Sequence, residues 1–165
     1  MKVLPFFFCL FSFVGLSQSD NETKPTTIFL VRHAERANDG TNNPSISKDG
    51  EKRAQKLAEA LSKSGVTAIY STNYQRTIKS VEPLAKVNNL EVKLYVPMEE
   101  EELKKIIDDN RGGVIVICGH SNTTPWSANF LAGTKLEQFN DSDYGNILIV
   151  TLWDFGKASL TRVNY

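Results

Sequence analysis

The fold of this chain is decided by Thr27-Ile28-Phe29-Leu30-Val31-Arg32-His33-Ala34-Glu35. The first five of these residues form a short apolar run rich in β-formers, which predicts a buried strand. Arg32 and His33 follow at once, so a guanidinium and an imidazole stand at the carboxyl end of that strand. Open α/β sheets form their ligand crevices at this edge. The stretch therefore predicts both a central strand and a site for chemistry.

Two later segments also place polar side chains directly after predicted strands. They are Tyr70-Ser71-Thr72-Asn73-Tyr74-Gln75-Arg76-Thr77 and Cys118-Gly119-His120-Ser121-Asn122-Thr123. Because the carboxyl ends of parallel strands meet at one edge of a sheet, we expect the arginines and histidines of the three segments to meet there. These residues are Arg32, His33, Arg76 and His120.

Strands and helices are predicted to alternate along the chain. Helices are expected from a cap at Ser47 to about residue 64, after Arg76, over 99–109 and over 123–131. Strands are expected over 66–70, 90–96 and 114–118, and a closing hairpin over 147–163. This order predicts an α/β fold, a three-layer sandwich with a mostly parallel central sheet and helices on both faces.

The composition describes an ordinary globular protein of 165 residues, the size of one domain. Lysine plus arginine and aspartate plus glutamate number 19 each, so no net charge draws the chain to nucleic acid or to an anionic membrane surface. Any anion must therefore be bound by a local cluster of positive charge.

The N-terminus is predicted to be a secretory signal peptide over residues 1–18. It has Lys2 before an apolar run over 3–14, and small residues follow at cleavage spacing. The run is short for a membrane span, which disfavours a retained anchor. We expect a flexible lead over 19–26, a domain over 27–165, export to the periplasm or beyond the cell, and no stable membrane insertion after cleavage. Cleavage removes Cys9, so Cys118 has no partner for an internal disulfide.

In sequence order, the motifs resemble those of the histidine phosphatase superfamily, which includes the cofactor-dependent phosphoglycerate mutases, acid phosphatases and phosphohistidine phosphatases. Arg32-His33-Ala34 stands where the family commonly has Arg-His-Gly, and Ile46-Ser47-Lys48-Asp49-Gly50 is similar to its helix opening. The short chain looks most like the compact phosphohistidine phosphatase branch. The resemblance implies a metal-independent phosphatase that hydrolyses phosphomonoesters through a phosphohistidine, without a cofactor. Its partner would be a small phosphorylated substrate or a phosphoprotein.

The resemblance and the chemistry of the side chains give each residue the same role. His33 is the predicted nucleophile, because a neutral imidazole nitrogen can attack phosphorus. The forked guanidiniums of Arg32 and Arg76 are predicted to bind the phosphate oxygens, and His120 is the second histidine of the site. A metal site on the two histidines is disfavoured, because the neighbouring arginine would repel a cation.

The general acid is less well defined by the sequence. The family resemblance points to an acid between the second arginine and the second histidine, and we take Glu99 as the candidate. Glu100, Glu101 and Glu102 are alternatives, and Glu35 and Asp143 are weaker ones. A solvated acidic helix start explains the four glutamates equally well.

Two other functions remain open from the sequence. The first is a protein phosphohistidine phosphatase, whose imidazole leaving group needs little help from an acid. The second is a phosphate-binding module without turnover. Arg36 and Asn42 are possible further substrate contacts, while Trp126 and Phe130, four residues apart, are expected to pack on one helix face.

Overall fold

The computed structural model describes residues 24–165, which form six strands and four helices. The predicted signal peptide over 1–18 and residues 19–23 of the predicted lead lie outside this range. In chain order the elements are β1 (Thr26–Arg32), α1 (Lys48–Leu61), β2 (Ala68–Ser71), α2 (Gln75–Asn88), β3 (Val92–Leu94), α3 (Glu100–Asp108), β4 (Val114–Gly119), α4 (Thr123–Ala132), β5 (Asn146–Asp154) and β6 (Lys157–Asn164).

The strands form one sheet in the order β3-β2-β4-β1-β5-β6. Strands β3, β2, β4 and β1 pair in parallel, whereas β5 pairs antiparallel with β1 and with β6. The predicted α/β fold is confirmed, and a mostly parallel sheet is approximately right because the C-terminal hairpin makes the sheet mixed.

The side chains of β1 alternate between two buried layers, as its pleat requires. Phe29 and Val31 pack in a core with α1 and α2, whereas Ile28 and Leu30 pack in a second core with α3 and α4. Helices therefore cover both faces of the sheet, which is the predicted three-layer arrangement.

Helix α1 begins where the sequence predicts. The Ser47 hydroxyl accepts a hydrogen bond from the Gly50 N–H at 3.1 Å, which caps the first turn. The apolar stripe of Ala54, Leu57, Ala58 and Leu61 is buried. The helix ends at Leu61 rather than near residue 64.

Helix α4 carries Trp126 and Phe130, whose rings stack with centroids 5.7 Å apart against the second core. Their predicted packing on one helix face is thus observed. Within residues 24–165, none of the helices is long and apolar enough to cross a membrane.

Candidate active site

Three adjacent strands, β2, β4 and β1, end at the same edge of the sheet, and the site lies there. The His33 N–H donates to the Gly119 carbonyl at 2.9 Å, which ties the chain after β1 to the end of β4. The resulting cleft has a volume of about 480 Å³. Its lining includes the predicted Arg32, His33, Arg76 and His120.

His33 is buried, with 6% of its surface exposed, and its ring is held in one orientation. Nδ1 lies 2.7 Å from the carbonyl oxygen of Ala34, so Nδ1 carries the hydrogen and donates it. Burial lowers the pKa of His33 to about 4, and the nearby His120, Arg76 and Arg32 act in the same direction. At neutral pH the imidazole is therefore uncharged, with the lone pair on Nε2.

His120 lies beside His33, with ring centroids 5.4 Å apart. Its Nε2 is 3.0 Å from the Thr72 hydroxyl, and the same hydroxyl is 3.0 Å from the Thr77 hydroxyl. Burial, followed by the charges of Arg76 and Arg32, lowers the pKa of His120 to about 4. Thr72 thus fixes the ring and leaves Nδ1 as the nitrogen without a partner among residues 24–165.

Gly119 lets the chain between β4 and α4 pass close to that helix. A Cβ at this position would lie 2.5 Å from the Thr123 hydroxyl and 3.2 Å from the Tyr95 hydroxyl. The same Thr123 hydroxyl accepts a hydrogen bond from the His120 N–H at 2.8 Å. The missing side chain at residue 119 therefore permits the contact that positions His120.

The Arg32 guanidinium is held by a loop that is distant in sequence. Nη1 donates to the carbonyls of Asn140 and Asp143 at 2.6 and 3.2 Å, and Nη2 donates to the carbonyl of Asp141 at 3.1 Å. The group also lies over the Tyr144 ring, 4.2 Å from its centroid. Nε is buried and has no partner among the described residues. Nε and one Nη2 hydrogen are thus the donors left for a ligand.

Arg76 lies in the first turn of α2, where its guanidinium stacks on Tyr74 at 4.4 Å from the ring centroid. The Ser80 hydroxyl donates to the Arg76 carbonyl at 2.7 Å and accepts from the Ala34 N–H at 2.7 Å. Ser80 therefore connects this turn to the residue that follows His33.

The structure does not place the predicted acid inside the cleft. Glu99 is exposed at the start of α3 and is absent from the cleft lining, although the preceding Met98 is part of it. Glu100, Glu101 and Glu102 lie in the first turn of α3 and are likewise outside the lining. The assignment of an acid to this segment stays a prediction.

The two weaker candidates are engaged elsewhere. Glu35 forms an ion pair with Arg53 of α1, and this hydrogen bond holds the pKa of Glu35 below its usual range. Asp143 accepts hydrogen bonds from Asn146 and Arg162 at 2.6 and 3.0 Å. Among residues 24–165, the carboxylate that does line the cleft is the fully exposed Asp141.

Several residues of the site were not assigned a role from the sequence. Thr72 directly follows β2, and Ser80 lies four residues after Arg76 in α2. The signals that could have marked them are a hydroxyl next to a strand end and a hydroxyl one helical turn after a predicted site residue. Tyr144 and the carbonyls of the 140–143 loop have no comparable signal. Within the described residues, no group of three or more histidine, cysteine or acidic side chains is arranged to hold a metal ion.

Comparison with known proteins supports the resemblance seen in the sequence. The model of the histidine phosphatase superfamily (branch 1) matches residues 28–101. This span contains Arg32, His33 and Arg76, whereas His120 lies beyond it. No curated protein matches the sequence.

Solved structures share the fold over most of their length. The protein histidine phosphatase SixA complexed with tungstate has a TM-score of 0.71 at 13% identity, and the match covers 84% of this chain and 96% of that one. A mycobacterial glucosyl-3-phosphoglycerate phosphatase gives 0.65 at 12% identity, covering 87% and 98%. A phosphoserine phosphatase from Entamoeba histolytica, in complex with 3-phosphoglyceric acid, gives 0.62 at 18% identity, covering 85% and 97%. At these identities the likeness shows a common fold.

Proposed function

This chain resembles the histidine phosphatase superfamily in the motifs of residues 28–101 and in its fold, and on that premise we propose that it is a phosphatase that uses His33 as its nucleophile. Its substrates are phosphomonoesters, and turnover proceeds through a phosphohistidine without a metal ion. Arg32, Arg76 and His120 bind the phosphoryl oxygens.

The observation that carries this proposal is the state of His33. The hydrogen bond from Nδ1 to the Ala34 carbonyl at 2.7 Å and a pKa of about 4 leave Nε2 unprotonated at neutral pH. An unprotonated ring nitrogen in a cleft lined by three arginines is suited to attack phosphorus, because donors are already in place for the developing charge.

The reaction has two displacements. Nε2 of His33 forms a bond to phosphorus as the bond from phosphorus to the ester oxygen breaks, and the leaving oxygen takes a proton from solvent water. A second water then attacks phosphorus and gives up a proton to solvent, the bond to Nε2 breaks, and inorganic phosphate is released. In both steps Nδ1 keeps its hydrogen and continues to donate it to the Ala34 carbonyl. The Nε and Nη2 donors of Arg32 remain available to phosphate oxygens because the 140–143 loop occupies the others.

A second candidate function is hydrolysis of protein phosphohistidine. It is favoured because the glutamates predicted as the general acid lie outside the cleft lining. The carboxylate that does line the cleft, Asp141, is fully exposed. An alkoxide leaving group requires a proton donor, whereas the imidazole of a phosphohistidine leaves more readily. The cleft therefore suits good leaving groups better than simple alkyl phosphates.

The test is hydrolysis of p-nitrophenyl phosphate by residues 24–165 and by the full chain, with a chelator present. We expect chelator-resistant turnover that His33→Ala abolishes and that His120→Ala lowers by about 10²-fold or more. Rapid quench in base should trap a phosphorylated wild-type protein, because phosphohistidine is labile to acid.

Two results would overturn the proposal. Turnover that persists in His33→Ala would exclude His33 as the nucleophile. Tight phosphate binding without turnover of p-nitrophenyl phosphate or of a phosphohistidine peptide would favour the non-catalytic binding module.

We also infer that the protein is exported, since Lys2 and the apolar run over 3–14 have the pattern of a signal peptide. The measurement is the N-terminal sequence of the protein recovered from the periplasm or the medium, which should begin near residue 18 or 19. Recovery of the intact chain in the cytosol alone would contradict export.

A further inference from the structure

The cleft combines a buried polar floor with an exposed apolar rim. Arg32 and His33 at the floor are buried, with 6% of each residue exposed. Tyr74, Pro97 and Met98 also line the cleft, and Tyr74 and Met98 are 41% and 49% exposed. A pocket that joins apolar and aromatic side chains to a few polar groups is typical of a site for an organic ligand. The rim thus offers a surface to the part of a substrate that carries the phosphoryl group.

Met98 is held at the rim in an unfavourable backbone conformation. Its φ is 63°, in the left-handed region that few residue types other than glycine and asparagine adopt. Within residues 24–165 the other non-glycine residue with a positive φ is Asn89, which caps the end of α2 and is of a type that tolerates this conformation. Packing does not explain the methionine, since half of it is exposed. A strained and exposed methionine in the lining of a cleft indicates a role in the site.

Tyr74 is fixed by two other side chains of the site. The Arg76 guanidinium lies over the tyrosine ring, 4.4 Å from its centroid. The His120 ring stands perpendicular to the tyrosine ring, with the two centroids 5.1 Å apart. The exposed part of Tyr74 therefore adjoins the residues proposed to bind the phosphoryl oxygens. A ring that is already held in place contacts a ligand at little cost in conformational entropy.

The scarcity of acid in the cleft restricts the leaving group that can occupy this rim. Among the described residues, the carboxylate in the cleft lining is that of Asp141, whose side chain is fully exposed. An alkoxide needs a proton donor, whereas a phenol such as that of tyrosine has a pKa of about 10 and leaves more readily. An aromatic ring bonded to phosphorus through oxygen suits both features, because it leaves without a strong acid and packs well against a tyrosine and a thioether.

We propose that Tyr74 and Met98 bind an aromatic ring on the leaving group, so that aryl phosphates are the preferred substrates. This inference rests on the proposed function and narrows its substrate class from phosphomonoesters in general. The phosphoryl group lies beside His33 while the ring lies against the rim.

The test uses phosphonates, because their carbon–phosphorus bond is not hydrolysed and the ease of departure of a leaving group does not enter. Benzylphosphonate is an isostere of phenyl phosphate, cyclohexylmethylphosphonate has a saturated ring of similar size, and methylphosphonate has no ring. Calorimetry on the full chain measures the Kd of each compound. We expect benzylphosphonate to bind about tenfold more tightly than methylphosphonate, because the ring is buried. It should bind about threefold more tightly than the cyclohexyl compound, because its ring contacts a tyrosine and a thioether.

Substitutions at the rim locate the effect. Met98→Gly removes the side chain at a φ that glycine adopts freely, and it should lower the preference for benzylphosphonate over methylphosphonate by about fivefold. Met98→Leu should keep that preference but lower the preference for the aromatic over the saturated ring, as should Tyr74→Leu. Val96→Ala is the matched control, because Val96 is an exposed apolar residue of the same segment and is absent from the cleft lining. Both preferences should stay unchanged in this control.

Three results would overturn the inference. They are equal Kd values for benzylphosphonate and methylphosphonate, equal Kd values for the two compounds that carry a ring, and a benzyl preference that is unchanged in both Met98→Gly and Tyr74→Leu.

Binding also separates this inference from the proposed function, since calorimetry needs no turnover. A benzyl preference that depends on Met98, in a protein that hydrolyses neither p-nitrophenyl phosphate nor phenyl phosphate, would support the aromatic subsite and refute the phosphatase. Hydrolysis of these esters without any preference among the phosphonates would do the reverse.

Discussion

The Thr72 hydroxyl lies 3.0 Å from Nε2 of His120 and couples this ring to the buried turn between β2 and α2. The same oxygen contacts the Thr77 hydroxyl at 3.0 Å, which in turn donates to the carbonyls of Thr72 and Tyr74 at 2.9 and 2.8 Å. The orientation of His120 is therefore set by a hydroxyl that belongs to the neighbouring strand end.

We expect Thr72→Val to lower kcat/KM for an aryl phosphate by about tenfold, because Nε2 loses its partner while the shape of the side chain is kept. Thr72→Ser retains the hydroxyl and should keep most of the activity. The pH profile is the second readout, since a released ring is better hydrated and its pKa should rise toward that of free histidine. If the pH profile did not shift and both variants lost the same amount of kcat/KM, the effect would come from the packing of the side chain and not from its hydroxyl.

Acid should destabilise the protein through its two histidines. Burial lowers the pKa of both His33 and His120 from 6.5 to about 4. The unfolded chain therefore binds protons between pH 6.5 and 4 that the folded chain does not, so stability falls as the pH is lowered through this window. Above pH 7 the two groups contribute no pH dependence.

The expected loss from these two groups together is on the order of 5 kcal/mol between pH 7 and pH 4, since a shift of one pKa unit corresponds to about 1.4 kcal/mol. It is measured as the free energy of unfolding in urea. The double variant His33→Gln/His120→Gln is the control, because it keeps every carboxylate that also titrates at low pH. The same acid sensitivity in the variant would show that the histidines are not its source.

The sequence and the geometry differ on Glu99, and one variant separates them. Because Glu99 is exposed and outside the cleft lining, we expect Glu99→Gln to change kcat/KM for an alkyl phosphate by less than about threefold. Asp141→Asn, measured in the same assay, tests the exposed carboxylate that does line the cleft. A loss above about tenfold that is confined to alkyl phosphates, with p-nitrophenyl phosphate unaffected, would instead identify Glu99 as the acid.

A side chain at residue 119 should disturb both stability and the site. The Cβ of Gly119→Ala would lie 2.5 Å from the Thr123 hydroxyl, so we expect a cost of about 2 kcal/mol, read as a lower Tm, together with reduced turnover. In a Thr123→Ala background the same substitution should cost less, because the nearest atom has been removed. Strictly additive losses would argue against that contact as the cause.

The sequence predicted the elements that depend on local patterns. The apolar run before Arg32 and the uninterrupted run after Gly113 became the adjacent strands β1 and β4, since continuous hydrophobicity is typical of strands covered on both faces. Residue order along these strands then placed His33 and His120 side by side. Local sequence patterns were therefore sufficient to predict this part of the site.

Strand β3 shows where local patterns fail. The predicted strand spans 90–96, but only Val92–Leu94 pairs with β2. Strand β2 itself ends at Ser71, whose carbonyl accepts from the Tyr95 N–H at 3.0 Å, and Met98 then adopts a φ of 63°. The length of an edge strand is limited by the length of the strand beside it. The sequence of the edge strand carries no information about that limit.

The Arg32 environment could not be predicted for a related reason. Its partners are backbone carbonyls of residues 140, 141 and 143, and a carbonyl carries no sequence signature. Their position follows from where the chain runs before β5 enters the sheet beside β1. A motif that identifies an arginine therefore does not predict the hydrogen-bond partners of its guanidinium.

That distance along the chain has a consequence during synthesis. A nascent polypeptide emerging from the ribosome exposes His33 early, yet the carbonyls that hold Arg32 are 108 to 111 residues further on. Until the C-terminal hairpin has been translated and has paired with β1, the first arginine has no fixed position. The order of translation thus delays a competent site until nearly the whole domain has left the ribosome.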